Sequence, residues 1–158
     1  MIFAARMLSV ATGLAFTLML TRATTEQQYG IWSNINDIIA YFAFLAPAFP
    51  FWAMRFAARN KEGAIKTGFL ANLTISIIAT IIYLPLIPLI MLLLGISQTY
   101  MIIYLIASMQ IIETYLMTML EACLRAKLPQ AVGYGLLIEE ICKVLLAYTL
   151  IIKLQQPL

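Results

Sequence analysis

The stretch TGFLANLTISIIATIIYLPLIPLIMLLL, Thr67–Leu94, decides the fold class, because it holds no Asp, Glu, Lys or Arg. As a helix it would reach ~42 Å, more than the ~30 Å of hydrocarbon in a bilayer. No pattern of short alternating strands, which a membrane barrel requires, occurs here or elsewhere in the chain. Pro85 and Pro88 lie toward its C-terminal side. Each removes a backbone donor, so the stretch is expected to kink there, or to end and continue as an irregular piece.

Working outward, four more apolar stretches of spanning length flank it, at Ile2–Thr21, Ile31–Met54, Tyr100–Leu124 and Val132–Ile152. Pro47 and Pro50 should disturb the second as Pro85 and Pro88 disturb the third. The connecting polar segments are short: Arg22–Gly30, Arg55–Lys66, Gly95–Thr99 and Arg125–Ala131. The expected fold is all-α, a polytopic membrane helix bundle of about five transmembrane helices forming one domain over residues 1–158. The first stretch is longer than a signal-peptide core and no small-x-small cleavage site follows it, so it is expected to be retained.

Composition agrees. Of 158 residues, 63% are hydrophobic and 11% charged, against roughly 45–50% and about 25% in soluble domains. A water-soluble fold of this size cannot hide so much apolar surface. Histidine is absent, which removes the commonest general base and metal ligand. Cys123 and Cys142 lie in different apolar stretches and form no CxxC pair. There is no Gly-rich phosphate loop, nucleophile elbow or metal-ligand cluster, so neither an enzyme nor a bound cofactor is expected. Ten Lys and Arg spread along the chain make no nucleic-acid footprint.

Charge sets the orientation. Arg6, Arg55, Arg59, Lys61, Lys66, Arg125 and Lys127 fall on one side, and only Arg22 and Lys153 on the other. The first side is the cytoplasmic one, which puts the N-terminus inside, the C-terminus outside, and the protein in a cell membrane as a multi-pass chain.

Polar residues within the spans recur at helical spacing. Arg6, Ser9, Gly13, Thr17 and Thr21 share a face of the first span, and Ser33, Asn34, Asp37 and Tyr41 one of the second. Asn72, Ser76 and Thr80 line the third, and Gln110, Glu113, Thr114, Thr118 and Glu121 the fourth. The Ser and Thr positions are explained by close helix packing. Arg6 and Glu121 lie near enough to an interface to snorkel. Tyr29, Trp32, Trp52, Tyr100 and Tyr104 fall near span ends, where aromatic residues gather.

A charge at membrane depth costs at least ~2.5–3.5 kcal/mol, so Asp37, Glu113, Glu139, Glu140 and Lys143 each need an explanation. Lys143 is three and four residues beyond the two glutamates and can pair with one of them. Two explanations stay open: contacts with partner helices, or a hydrated cavity for a polar substrate with a carboxylate able to take up a proton.

Four segments carry a family resemblance. The first helix ends in LTRATTEQQYGIW (20–32), and the second leads into the basic loop RFAARNKEGAIKTG (55–68). The fourth leads into EACLRAKLPQAVGYG (121–135), and the fifth contains LIEEICKVLLAYTLI (137–151). In order and spacing these resemble the N-terminal part of a polysaccharide or oligosaccharide flippase of the multidrug/oligosaccharidyl-lipid/polysaccharide exporter superfamily. The resemblance implies a transport module acting on a lipid-linked saccharide by alternating access, with Arg6, Asp37, Glu113, Glu139, Glu140 and Lys143 lining or supporting the cavity. The chain has five spans where the family's first lobe has six. Alternating access needs two bodies, so the implied partner is a second transporter half or a homodimer. The competing expectation is a non-catalytic accessory subunit packed within a larger membrane complex.

Overall fold

The computed structural model describes residues 2–149, with side chains from Met7 onward except Ala147. Lys153 and the end of the fifth expected span lie outside the described residues. Among the described residues six α-helices follow in order: α1 (Ile2–Ala23), α2 (Glu26–Ala43), α3 (Ala48–Ala58), α4 (Ala64–Leu93), α5 (Met101–Lys127) and α6 (Pro129–Ala147). A single 3-10 turn at Gln98–Tyr100 leads into α5, and no strand occurs among the described residues.

Among the described residues two helices, Ala64–Leu93 and Gln98–Lys127 with its leading turn, are long and apolar enough to cross a membrane. The second expected span is broken. α2 and α3 meet at a bend of 54° where Pro47 stands at the N-cap of α3. Pro85 and Pro88 do not end α4, which runs unbroken to Leu93. In hydrocarbon any break in the backbone ladder exposes further unpaired groups, so a continuous helix missing single bonds is the cheaper solution.

Local chemistry sets the helix ends. Thr25 and Gln28 form a capping box at the start of α2: the Thr25 N–H donates to Gln28 Oε1 at 3.0 Å, and the Gln28 N–H donates to Thr25 Oγ1 at 3.3 Å. The polar segment after the first span is therefore largely the first turn of a helix. α4 ends in a Schellman turn, with Gly95 at φ 65° and the Ile96 N–H donating to Met91 O at 2.9 Å. α3 ends likewise on Asn60 at φ 53°, with the Lys61 N–H donating to Phe56 O at 3.1 Å. After Gly, asparagine is the residue best able to take that left-handed position.

The chain forms two compact units. One comprises α1, the start of α2 through Asn34, and α6; the other runs Ile35–Lys127. In the second unit α4 and α5 pack antiparallel in a constant register. The Asn72 Nδ2 group donates to Tyr115 O at 2.6 Å, and the Tyr83 hydroxyl donates to Tyr104 O at 3.1 Å. Eleven residues forward along α4 thus correspond to eleven back along α5. Gly68, four residues before Asn72, keeps the register by meeting Met119. A Cβ added at Gly68 would lie 2.6 Å from Met119 Cε and 2.7 Å from Ala53 Cβ. Only glycine allows α3, α4 and α5 to converge there.

The buried stripe of α4 comprises Gly68, Asn72, Ser76, Tyr83, Ile87 and Met91, and that of α5 comprises Tyr104, Ser108, Ile111, Tyr115 and Met119. Asn72 and Ser76 share a face, as their spacing predicts, and the structure turns that face inward. Tyr104 does not belong to an aromatic belt: it is fully buried in this core. Tyr115 ties α2 to the same core, its hydroxyl donating to Phe42 O at 3.0 Å.

Candidate functional site

The site is built in the first unit, where α1 and α6 pack together. Pro129 stands in the first turn of α6, and Glu140 follows eleven residues on, in the helix interior. Its side chain turns toward α1, and the residue is buried. An ionised carboxylate at such a position needs several donors, and three reach it. Ser9 Oγ donates to Oε1 at 2.6 Å, Thr12 Oγ1 to Oε2 at 2.6 Å, and Lys143 Nζ to Oε1 at 3.0 Å.

Thr12 has a choice of acceptors. Its single hydroxyl proton could instead go to Leu8 O at 2.9 Å or Ser9 O at 3.1 Å within its own helix. The shorter approach to Glu140 marks the charged acceptor as the winner, since bonds to ionised groups are the stronger ones. Neutralising Glu140 would reverse that balance, releasing Thr12 to its backbone and Lys143 from its ion pair. The Ser9 hydroxyl and the Lys143 ammonium would then be free to meet a different anion. Lys143 is placed for that exchange, its side chain 37% exposed while that of Glu140 is 5% exposed.

The other expected site residues stand differently. Glu139 is exposed, one helical step of ~100° from Glu140. Asp37 is exposed because Ile35 and Ile39, two residues to either side, take the buried face of α2. Glu113 is exposed for the same reason, flanked by buried Ile111 and Tyr115 on α5. The chain by itself therefore gathers Glu140 and Lys143 and leaves Asp37, Glu113 and Glu139 on outer faces. The side chain of Arg6 lies outside the described residues. Glu121 pairs with Arg125 one turn on, and both are substantially exposed.

Thr12 was not singled out from the sequence. Its signal was present in Ser9-x-x-Thr12, two hydroxyls one turn apart facing a helix that carries an acid. Thr17 and Thr21, which were singled out, bond back to Gly13 O and Thr17 O in their own helix and serve no site. Among the described residues no group of three Cys, Asp or Glu converges as a metal site.

Fold and site together define an all-helical chain with helices able to cross a bilayer and a buried carboxylate held by two hydroxyls and a lysine. No protein-family model, curated protein or solved structure matches it.

Proposed function

We propose that this chain is a transport module of a cell membrane, resembling the first lobe of a polysaccharide or lipid-linked oligosaccharide flippase. It would work with a second lobe or a second copy. On this reading the bent α2–α3 pair is one span, and α1, α4, α5 and α6 are four more, giving five with the basic turns on the cytoplasmic side. α6 carries Glu139, Glu140 and Lys143, a charge load that excludes it from purely apolar spans and suits a helix facing a wet interior.

The buried Glu140 carries the proposal. A purely structural helix contact rarely retains an ionisable group at membrane depth, because a neutral pair packs at lower cost. A carboxylate one of whose donors, Thr12, has alternative acceptors can instead change state as a substrate or proton arrives. The test is transbilayer movement of a fluorescent lipid-linked saccharide in proteoliposomes, comparing wild type with Glu140→Gln and Glu139→Gln. Loss of transport in Glu140→Gln with retained protein is expected. Unchanged transport in both variants would remove the two residues from the mechanism.

The exposure of Asp37, Glu113 and Glu139 favours a second reading, an accessory subunit whose outer charges are covered by unrelated chains. Mass measurement after mild-detergent extraction separates the two. Self-association or a homologous half fits the transporter, and a stable complex with unrelated chains fits the subunit.

A further inference from the structure

We propose that the turn between α3 and α4 forms, with the end of α5, a binding site for the anionic phosphate of a membrane lipid headgroup. A pocket of about 500 Å³ lies there, within the second unit. Three lysines from separate places in the chain line it: Lys61 in the turn, Lys66 in the first turn of α4, and Lys127 at the last position of α5. Glu62 is the only acidic residue among its lining, so three positive charges face one negative. None of these lysines forms an ion pair with a described residue. Three unpaired ammonium groups around one concavity repel one another, and a bound anion relieves that repulsion.

The pocket's other wall selects the kind of anion. Ile65 and Phe69, half-buried and one turn apart on α4, line it beside the lysines. A free phosphate has no use for an apolar wall, whereas a phospholipid brings its glycerol and upper acyl chain with its phosphate. The position matches, because the pocket lies at the ends of α4 and α5, the two helices able to cross a bilayer. Basic pockets between helix ends at a membrane surface suit anionic headgroups in this way. The left-handed residues Asn60 and Gly63 shape the turn that brings Lys61 back toward α4. The proposal does not rest on transport activity.

The test is native mass spectrometry of the full chain released from mild detergent with either phosphatidylglycerol or phosphatidylcholine. Preferential retention of phosphatidylglycerol is expected, weakened about five-fold for each of Lys61→Gln, Lys66→Gln and Lys127→Gln. Arg22→Gln, which removes one positive charge that is not among the pocket's lining residues, should leave retention unchanged. Equal retention of the two lipids, or unchanged retention in the triple lysine variant, overturns the site. A further arm uses inorganic phosphate alone: binding with the same lysine dependence and displacement of the lipid would assign the pocket to a free anion and overturn the lipid. A photoactivatable phosphatidylglycerol tests the unmodified chain independently of any variant's folding. Labelling at Ile65 or Phe69 is expected, and labelling confined to other segments contradicts the proposal.

Discussion

Glu140 accepts from Ser9, Thr12 and Lys143, and these contacts are unequal in what their loss should cost. Lys143→Met strands a buried carboxylate on two hydroxyls and should lower stability by ~3 kcal/mol. Adding Glu140→Gln to it should restore most of that loss, because the charge is then gone. Thermal unfolding in detergent of the two single variants and the double variant reads the coupling directly. The hydroxyls make a sharper comparison. Thr12→Val removes a bond to a charged acceptor and should cost ~1.5–3 kcal/mol. Thr17→Val removes a bond to the helix's own Gly13 carbonyl, whose oxygen keeps its ladder partner, and should stay within ~0.5 kcal/mol of wild type. Equal losses in the two variants would mean that Thr12, like Thr17, serves its own helix rather than Glu140.

Helix α4 shows which features of an element can be read from sequence. Its uncharged length made a membrane-crossing helix legible, and Asn72 and Ser76 at four-residue spacing marked one stripe, which the structure shows as fully buried. The effect of its prolines was not legible. One missing donor is compatible with a kink, a break or a continuous helix, and the surrounding apolar medium decides among them. Helix faces on α2 and α5 were also misleading, because polar spacing locates a stripe without saying which way it points. Ile35 and Ile39, or Ile111 and Tyr115, settle the direction only once neighbouring helices are in place. Spacing showed that Lys143 could pair with one of the two glutamates but not that it would be Glu140, and α1 as the other partner lies more than a hundred residues away in sequence and left no local signal. Gly68 is the element-scale test of the packing. Gly68→Ala places a methyl against Ala53 and Met119 and should cost ~1–3 kcal/mol as α3 and α4 separate. Gly13→Ala, with no atom within 4 Å, should be neutral or gain up to ~1 kcal/mol from helix propensity. Both are checked by unfolding in the same detergent.

For the whole molecule, the distribution of basic residues and the length of α4 together make an orientation testable. The turns at its two ends should lie on opposite sides of the membrane, with Asn60 inside and Ser97 outside. In a background with Cys123→Ser and Cys142→Ser, a cysteine at Ser97 should react with an impermeant thiol reagent added to intact cells, and one at Asn60 should react only after permeabilisation. The reverse pattern would invert the topology, and reaction of both from outside would remove α4 as a span. The larger claim concerns the carboxylates that a lone chain leaves on its surface. Asp37, Glu113 and Glu139 would rest against lipid only at large cost if their helices span a membrane, and the proposed transport module puts each of them in contact with water. The most direct measurement places single cysteines at positions 37, 113 and 139 in the same background and labels proteoliposomes with a small, water-soluble thiol reagent. A transport module predicts that all three react, and that a bound lipid-linked saccharide slows their labelling. Three unreactive positions, dry in every condition, would contradict the cavity and leave a chain whose charges are buried against its partners.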